Sequence, residues 1–195
     1  MSSENYRVEK QDAVYFLTFT VTDWVDVFTR LNYRNIIVES LDYCRKNKGF
    51  KLYAWCLMTN HIHLVCSVDQ PFRMTDFIRD CKQFTAKKVL HEIQTLPESR
   101  RDWMLYRFEF AGKFDIRIEK YRFWQDKSHP VELTTNEMIE ERINYIHQNP
   151  VRSGLVALEE EYLYSSARNY AGLSNVLEID EIDYFVGNKQ PRTPR

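Results

Sequence analysis

Apolar residues recur along this chain at two periods, and the alternation between them predicts the order of elements. Val14 to Thr22 is dense in β-branched and aromatic residues and reads as a strand. From Arg30 to Lys48, apolar residues at 33, 36, 37, 41 and 44 follow helical spacing, and Gly49 stands where a helix C-cap glycine belongs. Lys51–Met58 and His61–Val68 are two strand-like runs separated by Thr59-Asn60, the composition of a tight hairpin. Helical spacing returns from Met74 to Ile93, bracketed by Pro71 and Pro97. A short helix is expected over 99–111, containing Trp103 and Phe108 and stopping near Gly112, and a fourth strand over Ile116–Trp124. Thr134 and Glu137 fit a capping box for a helix that runs to Asn149, because Pro150 disfavours helical geometry in the residue before it. Order is expected in part of Tyr162–Tyr170.

This order is that of an α+β fold: a ferredoxin-like antiparallel sheet with helices on one face, plus an added C-terminal helix that carries Tyr145. With 195 residues and 44% hydrophobic side chains the chain can bury one substantial core. Residues 1–175 read as a single domain and 176–195 as a tail. There is no signal-peptide core and no run of about 18 apolar residues, so no membrane span is expected. Cys44, Cys56, Cys66 and Cys81 lack metal-site spacing and read as free thiols in a reducing, cytoplasmic setting. The net charge of −1 gives no general support for nucleic-acid binding. It is uneven, however: the surplus is 0 over residues 1–72, +4 over 73–127 and −5 over 128–195. A modestly basic middle could meet phosphates.

Candidate chemistry sits at two places. His61 and His63 lie two apart on a strand, so both imidazoles point to one face and can address one metal ion. Tyr145 and Asn149 lie four apart on a helix and also share a face. If that helix covers that strand, two histidines and an amide surround a metal with a phenol beside it, an arrangement suited to phosphodiester chemistry with a tyrosine nucleophile. Each residue also has a plainer reading: Asn149 as an Asn-Pro helix stop, Tyr145 as a core tyrosine, the histidines as hydrogen-bonded strand residues. Two imidazoles and an amide bring no negative charge, so Mg or Mn would bind weakly until substrate phosphate completed the shell. His147 falls on a different helical face from Tyr145 and reads as surface or structure.

The stretches Trp55-Cys56-Leu57-Met58-Thr59-Asn60-His61-Ile62-His63-Leu64-Val65 and Tyr145-Ile146-His147-Gln148-Asn149-Pro150-Val151-Arg152-Ser153-Gly154-Leu155-Val156 resemble the HUH superfamily of single-strand DNA nickases. They look most like its single-tyrosine transposases, including the REP-associated tyrosine transposases. Trp124-Gln125 and Tyr164-Ser165-Ser166 extend the resemblance, which spans roughly residues 12–172. It implies a metal held by His61, His63 and Asn149, and Tyr145 as nucleophile. It implies attack on single-stranded DNA at hairpin ends, through a 5′-phosphotyrosine link that needs no ATP. Thr59 departs from the family, in which many members have proline before Asn-His. For the DNA surface, the resemblance leaves as best guess the helix bearing Arg79, Lys82, Gln83, Lys87 and Lys88. Relatives include monomers and dimers that exchange the tyrosine helix; a homodimer is the favoured expectation. Two other readings stay open: a domesticated DNA-binding protein on the same scaffold, and a metal-dependent phosphodiesterase in which water attacks.

Overall fold

The computed structural model describes residues 8–113, 115–126, 128 and 130–184. Its centre is a four-stranded antiparallel sheet made of β1 (Tyr15–Thr20), β2 (Phe50–Leu57), β3 (His61–Val68) and β4 (Val131–Glu132), in the order β2-β3-β1-β4. That is the expected ferredoxin-like arrangement. Alternation along β1 and β3 sends Tyr15, Leu17, Phe19, Ile62, Leu64 and Cys66 into one core and Phe16 and Val65 into another. Helices α1 (Leu31–Asn47), α2 (Met74–Thr95) and α3 (Arg101–Gly112) bury apolar residues in the first core. The second lies under a single helix, α4 (Asn136–Arg152), through Ile139, Ile143 and Ile146.

Helix α1 ends as expected: Gly49 has φ +60, and a Cβ there would come within 2.8 Å of Phe72. Thr59-Asn60 closes the β2–β3 hairpin, with Met58 N–H donating to the His61 carbonyl at 2.8 Å. A bulge between Leu52 and Ala54 shifts the register of β2.

Three expectations fail locally. Residues 116–124 form no strand; only Trp124 pairs, in an isolated bridge to Val21, and the edge strand is Val131–Glu132 on Tyr15 and Phe16. Side-chain ion pairs organise that earlier stretch instead, with Arg117 and Arg122 both on Asp115, and Ile116 is fully exposed. The cap of α4 is Thr135, not Thr134: its hydroxyl accepts from Met138 N–H at 3.2 Å, so Glu137 is not the matching capping-box residue. Finally, α4 runs through Pro150 to Arg152. Proline removes one late hydrogen bond, and a closing motif compensates: Leu155 N–H reaches the Pro150 carbonyl and Gly154 N–H the Val151 carbonyl, both at 2.9 Å, with Gly154 at φ +71.

After α4 the chain returns to β2. Ser165 bridges Cys56, Leu57 N–H donates to the Tyr164 carbonyl, and α5 (Ala167–Tyr170) follows. Within the stretch read as a tail, Asp180 accepts from Leu52 N–H and pairs with Arg45, and Leu177 is buried; residues 185–195 lie outside the described part. All four cysteines are free, and burial pushes the thiols of Cys56, Cys66 and Cys81 up. No described helix is long and apolar enough to cross a membrane.

Candidate active site

The β1–β3 register sets Thr20 opposite His61, Thr18 opposite His63 and Phe16 opposite Val65, all on the face that α4 covers. His61 and His63 are therefore neighbours, with ring centroids 4.7 Å apart. Each has its Nδ1 engaged. His63 Nδ1 lies 2.8 Å from the Thr18 hydroxyl, and His61 Nδ1 lies 2.7 Å from Asn60 Oδ1. With both Nδ1 atoms occupied, both Nε2 atoms are left as the donors for a ligand.

Burial favours the neutral imidazoles that such a role needs. It pushes the His63 pKa down to about 3, with His61 and the Arg142 guanidinium acting in the same direction, and it lowers His61 as well. Two neutral, oriented imidazoles fit a divalent cation. Among the described residues no group of three or more His, Cys, Asp and Glu could hold one. A third protein ligand would have to be neutral, as the Asn149 amide is.

Helix α4 carries Tyr145 over this pair. Its ring meets that of His63 edge-on at 5.4 Å and that of Phe16 at 6.0 Å, while Phe16 stacks on His63 at 5.4 Å. Asn149 stands one turn further along the same helical face, half-buried. The helix is held in place from its other side. His147, buried, has its Nε2 2.8 Å from the Ser166 hydroxyl, which also accepts from Trp55 N–H of β2 at 2.9 Å. His147 is thus structural, and burial pushes its pKa down to about 4.

Two arginines went unnoticed in the sequence. Arg142 lies over the Phe16 ring at 5.1 Å and Arg152 over the Tyr145 ring at 5.6 Å. Their spacing gives the signal in retrospect, since positions 142, 145, 149 and 152 fall on one stripe of a helix. Thr18 and Asn60 were also missed. Thr18 is found only once the strand register is known, whereas Asn60 adjoins His61 in sequence.

The residues guessed for DNA lie elsewhere, on α2, which packs on the opposite side of the sheet from α4. Arg79 is paired with Asp76 at 2.8 Å and Asp80 at 2.7 Å. Lys82 donates to the Gln125 carbonyl at 2.6 Å and the Ser128 hydroxyl at 3.2 Å, and burial lowers its pKa to about 8. Gln83 and Lys87 are exposed, and Lys88 sits over the Phe84 ring at 5.2 Å.

The model of the family described as "Transposase IS200 like" matches residues 10–111, more than half of the chain. A solved structure of a REP-associated tyrosine transposase bound to a REP hairpin superposes with a TM-score of 0.61 at 15% identity, covering 98% of this chain and 100% of that one. A candidate transposase from Deinococcus radiodurans R1 gives a TM-score of 0.42 at 16% identity, over 76% of this chain and 97% of that one. No curated protein sequence matches.

Proposed function

Because the chain belongs to the IS200-like transposase family and is a transposase, we propose that it cuts and rejoins single-stranded DNA with Tyr145 as the nucleophile. The observation that carries this reading is the meeting of α4 and β3, where the Tyr145 ring stands 5.4 Å from that of His63. A phenol on a rigid helix beside two neutral, oriented imidazoles is a nucleophile placed next to a phosphate site.

In the proposed step the Tyr145 phenolic oxygen forms a bond to the scissile phosphorus and loses its proton. The bond from phosphorus to the 3′ oxygen breaks, and that oxygen leaves as a 3′-hydroxyl after taking up a proton. DNA remains on the enzyme as a 5′-phosphotyrosine, and attack by a 3′-hydroxyl reverses the step at a new junction. One phosphodiester replaces another, so no nucleotide cofactor is required. His61, His63 and Asn149 are the residues that would hold a divalent cation, Mg or Mn. When bound, the cation would supply Lewis-acid polarisation of a non-bridging phosphate oxygen. Arg142 and Arg152 flank the aromatic cluster and offset the charge of an incoming phosphate. His63 and Phe16 pack against the Tyr145 ring and restrict how it can turn.

A hairpin-bearing single strand is the proposed substrate, in keeping with the REP hairpin bound by the structurally similar transposase. The test is incubation of the protein with a labelled hairpin oligonucleotide and Mn. A covalent protein–DNA adduct that is absent in Tyr145→Phe is the expected result. Cleavage that survives Tyr145→Phe would point to attack by water, and binding without cleavage to a scaffold that no longer moves DNA.

A further inference from the structure

Beside His61 stands an aromatic side chain that the proposed chemistry does not use. Trp24 is 58% exposed, and its ring meets the His61 ring at 5.7 Å, edge to face. A single exposed ring is ordinary on a protein surface, but this one adjoins a histidine of the site and its backbone is held in an uncommon conformation. Asp23 and Trp24 both have φ +54, two consecutive non-glycine residues in the left-handed region. Such a conformation persists only where neighbouring structure enforces it.

The enforcing contacts can be named. Asn60 donates from its Nδ2 to the Trp24 carbonyl at 3.2 Å and to the Asp26 carboxylate at 2.9 Å. The same Asn60 side chain accepts at Oδ1 from His61. Asp23 is held by Arg107 of α3 at 2.9 Å. One side chain therefore fixes both a histidine of the site and the turn that displays the tryptophan. Trp24 is presented to solvent at a fixed place, and α3, to which the turn is tied, exposes Trp103 and Tyr106 as well.

We propose that Trp24 is a stacking platform for an unpaired base of the DNA strand beside the scissile phosphate. The inference rests on the reading of the His61–His63–Tyr145 cluster as a DNA site. A base has two π-faces to offer and a single strand leaves them open, so a rigid exposed indole at the rim suits single-stranded DNA better than a duplex, whose bases are already stacked. Stacking tolerates any base, and Trp24 thus positions the strand without reading its sequence. It is a positioning residue and not part of the bond-making machinery.

The test uses the full chain in EDTA, so that metal-dependent steps are silent, and a fluorescent single-stranded DNA pool of random sequence. Trp24→Ala is expected to weaken binding about tenfold, and Trp24→Phe to stay within about threefold of wild type. A second pool carrying 5-iododeoxyuridine, irradiated on the protein, is expected to crosslink to the peptide that contains Trp24. Mn affinity in Trp24→Ala should equal that of wild type, because the Asn60 contacts reach the Trp24 backbone and not its ring. Unchanged DNA affinity in Trp24→Ala, or crosslinks that avoid residue 24, would overturn the inference. So would a loss confined to Mn affinity, which would make the indole a prop for His61. If wild type binds the pool through Trp24 but never forms a Tyr145 adduct, the cleavage reading fails and this one stands. If the adduct forms normally and Trp24→Ala binds as wild type, the reverse holds.

Discussion

Tyr145 on α4 and His63 on β3 meet edge to face with ring centroids 5.4 Å apart, across the core between helix and sheet. Neither residue could reach the other through local structure. Contact depends on α4 choosing the sheet face opposite α1 and α2, which it does by burying Ile139, Ile143 and Ile146 against Ala54, Cys56 and Val65. The phenol and the imidazoles thus come together because of an apolar stripe that contains none of them.

The first prediction separates site from scaffold at His61. Its ring is half-buried at the start of β3, and among the described residues its Nδ1 bonds only to the neighbouring Asn60 side chain. His61→Ala removes a proposed ligand without opening the main core, so Mn affinity should fall by more than about tenfold. Circular dichroism and the Tm in EDTA should stay close to wild type. An unfolded variant would assign the imidazole to stability.

The arginines of α4 carry the second prediction. Arg142 and Arg152 lie over Phe16 and Tyr145, and neither has an ion-pair partner among the described residues. If they balance phosphate charge, Arg152→Gln should slow adduct formation at saturating DNA by about tenfold or more, with a smaller effect for Arg142→Gln. Arg152→Lys should recover part of the rate, since charge returns but the planar fork does not. Single-turnover rates on a labelled oligonucleotide decide it; a change in affinity alone would assign Arg152 to binding.

Acid stability gives a third. His147 is buried between Ser166 and the Tyr170 ring, with its pKa pushed down to about 4. In the unfolded chain an imidazole titrates near 6.5. Between those values the unfolded state binds a proton that the folded state refuses, so His147 stabilises the fold fully above about pH 6.5. That contribution is lost as pH falls toward 4, and amounts to about 3 kcal/mol at most. His63, also lowered by burial, acts with the same sign. Urea unfolding in EDTA at pH 7 and pH 4.5 should show the loss, and His147→Gln should show a shallower dependence. A wild-type midpoint independent of pH over this range would contradict it.

Sequence patterning carried the fold far because its helices bury one clear stripe each and its central strands are apolar on both faces. His61 and His63 were legible as a pair because strand spacing alone fixes their common side, and Tyr145 with Asn149 for the corresponding helical reason. Patterning failed where side-chain chemistry overrode it. The Ile116–Trp124 stretch alternates plausibly, yet Asp115 gathers Arg117 and Arg122, and the backbone pairs only at its end, where Trp124 bridges Val21. The two-residue β4 is too short to leave a periodic signal. Lys82 looked like a surface cation because its partners, the Gln125 carbonyl and Ser128, come from a distant loop. Thr18 was invisible until register placed it across from His63.

The last prediction concerns the orienting shell of the histidines. Asn60 reaches His61 with its oxygen and both Asp26 and the Trp24 carbonyl with its nitrogen, so its amide cannot flip without losing three contacts. This fixes Nδ1 of His61 as the protonated atom and leaves Nε2 as the acceptor. Thr18 holds the His63 ring at its own Nδ1, through a hydroxyl that can either donate or accept. Partners of this kind typically change metal affinity by about 10- to 100-fold when removed. Asn60→Ala and Thr18→Val should each weaken Mn binding on that scale while both histidines remain. Asn60→Ala should also loosen the Asp23–Trp24 turn, visible as a shift in Trp24 fluorescence, whereas Thr18→Val should leave that signal unchanged. Calorimetric titration of the two variants with Mn makes the comparison directly; equal affinity in Asn60→Ala and wild type would mean that His61 needs no orienting partner.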